Sequence, residues 1–215
     1  MELTPERVEL LNVALNEATL LGAEVETELH AAAITLSVLS LPVDAPPPED
    51  PRVQLLLRPV GRVCASLRHG RWDDANAPVE PFRIEELLAV LGRVGGHAVY
   101  GWEFFDVPEE KDFARWKDRL SLDWEAPGDS GRSHTLVLFQ EADKAHLDLC
   151  FWFDHLVIYT ASYEEIPLDD FAAAGKRWWD ALYADDPRTA DAGIVPLTTE
   201  ATEALEKTLD DLQSG

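Results

Sequence analysis

Residues 133–161 read SHTLVLFQEADKAHLDLCFWFDHLVIYTA. Apolar residues fall into three short runs, Thr135–Gln140, Leu147–Phe153 and Leu156–Thr160. Runs of this length, rich in aromatic and β-branched side chains, predict strands. The polar breaks at Ala142–Ala145 and Asp154-His155 allow only a direct return. Neighbouring strands are therefore expected to be antiparallel, because a parallel return needs a dozen or more residues.

Upstream, Thr4-Pro5-Glu6 is a helix start: threonine caps, proline fits the first turn, and glutamate suits the positive end. Val8, Leu11, Leu15 and Ala18 continue at helical spacing, with Gly22 as the expected stop. A hairpin follows, with strands over Leu20–Val25 and Leu29–Leu41 and a turn at Glu26–Glu28. Ile34, Leu36 and Val38 alternate with Thr35 and Ser37, the period of a half-buried strand. Two more strands are expected at Val53–Leu57 and Arg62–Leu67, with a bulge or turn at Pro59-Val60-Gly61. Arg68–Pro81 reads as a loop, and Ile84–Val94 as a helix closed by Gly95-Gly96. A strand at Ala98–Asp106, a helix at Glu109–Arg119 and a strand near Leu122–Trp124 lead back to the quoted segment.

Pro167–Ala184 is a further helix, and Thr198–Leu212 forms an amphipathic one with Ala201, Leu205, Leu209 and Leu212 on one stripe. Strand and helix do not alternate as a doubly wound fold requires. The expectation is a single α+β domain with a predominantly antiparallel sheet, helices mainly on one face and a C-terminal amphipathic helix. Residues 1–184 form that domain. Residues 185–215 are read as a linker and a helix docked on the domain or on a second copy. Trp116-Lys117-Asp118-Arg119-Leu120 and Trp178-Trp179-Asp180-Ala181-Leu182 share Trp-x-Asp-x-Leu, which we read as reuse of a strand–proline–helix unit.

Composition narrows the function. Hydrophobic residues make up 46% and charged residues 27%, with seven Trp and eight Phe, which suffices for a packed core. The 41 acidic residues against 18 basic ones give a net charge of −23. Nucleic acid and anionic membrane surfaces call for a basic face, so neither is expected as a partner. The longest uncharged apolar stretch, Ala31 to Val43, has 13 residues, whereas crossing a bilayer takes about 20. No secretory signal is read in the acidic first residues, and Cys64 and Cys150 each sit in an apolar run. Together these suggest reduced, buried thiols in a cytoplasmic protein.

Candidate chemistry is sparse. Gly128-Asp129-Ser130-Gly131 resembles the nucleophile tetrapeptide of trypsin-like serine proteases over four residues only. Neither the disulfides nor the histidine context of those enzymes accompanies it, so a turn is expected. His146, Asp148 and Cys150 alternate and should share one strand face, but zinc sites draw clustered ligands from several elements. No catalytic residue, metal site or cofactor is expected. Exposed aromatics beside carboxylates are the binding candidates: Trp72, Asp73 and Asp74 in a polar loop, and Tyr100, Trp102 and Glu103 on a strand with aromatics on both faces. Two readings follow. The first is a non-enzymatic interaction protein whose acidic surface meets a basic protein, with a homodimer as a further option. The second is a small-ligand binder or enzyme with an aromatic-lined pocket.

Overall fold

The computed structural model describes residues 3–71, 74, 76–99, 101–107, 118–128, 131–142 and 144–192. The elements run α1 (Pro5–Leu15), β1 (Thr19–Glu26), β2 (Ala31–Ser37), β3 (Arg52–His69), a 3-10 turn (Ile84–Glu86) leading into α2 (Leu87–Val94), β4 (Leu122–Glu125), β5 (His134–Ala142), β6 (Ala145–Thr160), β7 (Glu165–Ile166), α3 (Leu168–Tyr183) and a 3-10 turn (Pro187–Ala192). Seven strands form one antiparallel sheet with the path β1-β2-β3-β6-β5; β4 pairs with β3 and β7 with β6. The fold is a single α+β domain.

The two long central strands organise everything else. β3 and β6 pair from Val53↔Thr160 to His69↔Ala145, with a register shift between Val60 and Arg62 where the Pro59-Val60-Gly61 interruption was expected. The sequence suggested one strand on each side of this point, and likewise two strands separated by a turn at Asp154-His155. Both pairs are instead single strands. Arg58 pairs with His155 on an exposed stretch of the ladder, so the polar pair costs little there. Beyond the shift, both faces of the central pair are buried: Val63, Ala65 and Leu67 on one side, Cys64, Ser66 and Arg68 on the other.

Several element boundaries move for identifiable reasons. α1 begins as expected, with Thr4 Oγ1 accepting from the Arg7 N–H at 3.4 Å, but it ends at Leu15, not near Gly22. Glu17 takes a positive φ of 61°, which turns the chain into β1. β2 starts after a turn in which His30 has φ 49°. It stops at Ser37 because Leu41 is drawn to α3, where its N–H donates to the Ala174 carbonyl at 3.0 Å and its side chain packs against Trp178 and Trp179.

The expected strand over Ala98–Asp106 is reduced to isolated bridges at Ala98, Val99 and Phe105. Gly101, with φ 130°, breaks the alternation. Phe104 and Phe105 are both buried, and their consecutive N–H groups donate to Asn12 Oδ1, each at 3.0 Å. The expected helix at Glu109–Arg119 falls mostly outside the described residues. Asp129 and Ser130 of the protease-like tetrapeptide, Trp116 of the repeated motif and the whole of Thr198–Leu212 also lie outside them.

The helices and the sheet share one apolar core: Leu11, Ala14 and Leu15 of α1, Leu87, Val90, Leu91 and Val94 of α2, and Leu168, Phe171 and Ala172 of α3 join the inward residues of the strands. α1 and α3 approach closely at Gly175, where an added Cβ would lie 2.5 Å from Ala14 Cβ. Arg7 clamps the pair with bonds of 2.8 and 2.9 Å to the two carboxylate oxygens of Asp169.

Candidate functional site

The polar side chains of the central strands form the most constrained cluster in the protein. Alternation and register place Arg62, Cys64, Ser66 and Arg68 of β3 beside Trp152, Cys150, Asp148 and His146 of β6. Arg68 is fully buried. Its Nη2 donates to Asp148 Oδ2, its Nε to His146 Nε2 at 2.6 Å, and its Nη1 to Ser66 Oγ at 3.0 Å. Ser66 in turn donates to the Arg119 carbonyl at 2.7 Å. Burial, then the adjacent Arg68 charge, holds the His146 imidazole down to about 4, so it stays neutral and accepts from the guanidinium.

Below this cluster, the Cys64 thiol donates to Asp123 Oδ1 at 3.0 Å. Arg62 forks onto the same carboxylate at 2.8 and 2.9 Å. Burial pushes the Cys64 thiol well above its usual range, which keeps the nucleophilic thiolate away. His146, Asp148 and Cys150 do share a face, as their spacing implied, but Arg68 engages the carboxylate and the imidazole. Among the described residues no group of three or more side chains is arranged to hold a metal ion. Arg68, Ser66, His146 and Asp148 are closed to solvent and bonded chiefly to one another, so this part of the sheet works as architecture.

Solvent reaches a different place. The outward side of the β1–β2 hairpin and the start of α2 enclose a cleft of about 460 Å³. Val25, Ala31, Ala33, Leu56, Ile84 and Leu88 provide an apolar floor, and Leu29 overhangs it, 75% exposed. Register explains the lining: Glu24 stands opposite Ala33, which is paired with Leu56, and Glu26 stands opposite Ala31. Glu24, Glu26 and Glu85 supply the rim, all three exposed. The arrangement is a greasy trough with a negative edge. Local sequence places Glu24 in a strand, Glu26 at a turn and Glu85 in a helix, with nothing to bring the three together.

The residues singled out from sequence are distributed differently. Asp74 is exposed in the turn after β3, where its Oδ1 accepts from the Asn76 N–H at 2.8 Å. Trp102 stands 68% exposed beside the break at Gly101, and Glu103 next to it is also exposed. Trp72, Asp73 and Tyr100 lie outside the described residues. Among the described residues, no helix is long and apolar enough to cross a membrane. No protein-family model, no curated protein and no solved structure matches this chain.

Proposed function

We propose that this chain is a non-enzymatic interaction protein that receives a basic, partly apolar segment of another protein in the cleft between β1–β2 and α2. One observation carries the reading: the half-buried Leu56 and the exposed Leu88, overhung by the exposed Leu29, form an apolar surface bounded by Glu24, Glu26 and Glu85. Leu29 and Leu88 gain by leaving water, while the three carboxylates favour lysine or arginine at the edges of the bound segment. The net charge of −23 extends the same preference over the whole surface and steers cationic partners inward. Asp74, Trp102 and Glu103 belong to this exterior as secondary contacts. The reduced cysteines support placement in a reducing compartment such as the cytoplasm.

The test is affinity capture at low and high salt, using the wild-type chain, a Glu24→Lys/Glu26→Lys/Glu85→Lys variant, and an unrelated protein of matched charge. A partner held by the wild type at low salt, released at high salt, and missed by both controls fits the proposal. Its binding segment, made as a peptide, should then bind the purified wild-type protein and not the variant. If all three baits retain the same proteins, the acidity is generic and the docking site is wrong.

A further inference from the structure

Against the acidic background, one cleft gathers cations. His69 at the end of β3, Arg93 and Val94 at the end of α2, His97 just beyond, and Lys144 in the β5–β6 turn line a depression of about 430 Å³. Leu67, Ala142 and Ala145 complete its wall. The backbone fixes these pieces together: His69 pairs with Ala145, the Gly70 N–H donates to the Lys144 carbonyl at 3.0 Å, and Gln140 Nε2 donates to the His97 carbonyl at 2.8 Å. Glu80 is the acidic residue of the lining. Its two oxygens hold His69 Nε2 and Arg93 Nη2, each at 2.6 Å, which ties both side chains to one point of the lining.

We infer that this cleft is a binding site for a small organic phosphate, a phosphate monoester with an apolar body. Arg93 and Lys144 against Glu80 leave a local charge of +1 among the charged lining residues. This local sign is opposite to that of the chain as a whole. The repulsive field of distant carboxylates is screened beyond a Debye length of about 8 Å at physiological salt, so the lining decides which ions stay. Donors spread over a rim on three separate elements suit a group with three acceptor oxygens better than a two-oxygen carboxylate. Val94, Ala142 and Ala145 offer an apolar surface to the rest of the ligand. The site is distinct from the glutamate-rimmed trough and independent of its proposed role.

The experiment is calorimetric titration of the full chain with phenyl phosphate, inorganic phosphate and the neutral analogue benzyl alcohol. It is repeated on Arg93→Gln/Lys144→Gln and on Lys144→Gln alone, with Arg188→Gln as a distant control. Phenyl phosphate is expected to bind saturably and more tightly than inorganic phosphate, with no binding of the alcohol. The double variant should lose about tenfold or more in affinity, as removal of charge-assisted bonds does, while its melting temperature and the control's affinity hold. Lys144→Gln changes an exposed turn residue, so its smaller loss provides a reading even if the double variant folds poorly. Absence of saturable phenyl phosphate binding, equal affinity for inorganic phosphate, or unchanged affinity in both cleft variants would overturn the assignment.

Discussion

Cys64 and Cys150 are direct register partners across the β3–β6 ladder, both closed to solvent and neither in a disulfide. Sequence placed each thiol in an apolar run but gave no sign that they meet. Their burial, with Cys64 held protonated, makes a chemical prediction. An aromatic disulfide reagent should leave both unmodified in the native protein and titrate two thiols after denaturation. Rapid native-state modification of either would show that this face of the sheet opens readily.

Asp148 is the partner that makes a buried Arg68 tolerable. Asp148→Asn should destabilise the fold by about 3–5 kcal/mol, the usual consequence of leaving one member of a buried pair uncompensated. Replacing both charges, as Arg68→Met/Asp148→Leu, should recover much of the loss, because an apolar pair needs no desolvated ions. Urea unfolding of the three proteins checks this. A single variant as stable as the wild type would mean that solvent reaches the guanidinium.

The difference between what was legible and what was not is one of range. Thr135–Gln140 and Leu147–Phe153 announced themselves because alternation within a strand is a local property. The continuity of β6 through Asp154-His155 was hidden, since two polar residues read as a turn until the long partner strand is seen opposite. Arg68 looked like the first residue of a loop because its partners are 78 and 80 positions away. His146 and Asp148 on an otherwise apolar strand were the available hint that a cation had to face them. The glutamate-rimmed trough gave no local signal at all. Glu24, Leu56 and Leu88 come together only through strand register and the placement of α2.

His146 gives stability a pH dependence of definite sign. Its folded-state value, about 4, lies below the ordinary 6.5 of an imidazole. Below pH 6.5 the unfolded chain therefore binds a proton that the folded chain refuses. Stability is complete above that pH and declines as pH falls toward 4, by roughly 3 kcal/mol at most. Unfolding free energies measured across this interval should fall for the wild type and flatten for His146→Gln. An equal slope in both would assign the effect to other groups.

Gly175 is the contact point of α1 and α3. Alanine is about 1 kcal/mol better than glycine inside a helix, so propensity alone predicts a stabilising Gly175→Ala change. Packing opposes it, because the new Cβ would lie 2.5 Å from Ala14 Cβ and 2.6 Å from Ala14 Cα, and neither can swing aside. Overpacking of this kind costs about 1–3 kcal/mol, so the net effect should be a lower melting temperature. Adding Ala14→Gly should restore part of the loss. A more stable single variant would mean that the two helices separate easily.

The final prediction concerns residues 197–215. Ala201, Leu205, Leu209 and Leu212 make an apolar stripe at helical spacing, and an isolated helix of about 15 residues is marginal in water without a cover for such a stripe. In the helix that this spacing leads us to expect, Asp210 and Asp211 near the end would oppose the dipole, so packing would have to supply the difference. The chain enters this stretch from an anchored position: Thr189 is buried, and Arg188 Nη1 reaches the Val43 carbonyl at 3.4 Å. We therefore expect truncation after residue 196 to lower the melting temperature if the stripe docks on its own domain. If it docks on a second copy, truncation should instead lower the mass measured by light scattering. The two outcomes separate because an intramolecular contact is indifferent to protein concentration, whereas a contact between copies weakens on dilution. An unchanged melting temperature together with an unchanged mass would show that the stripe serves neither purpose.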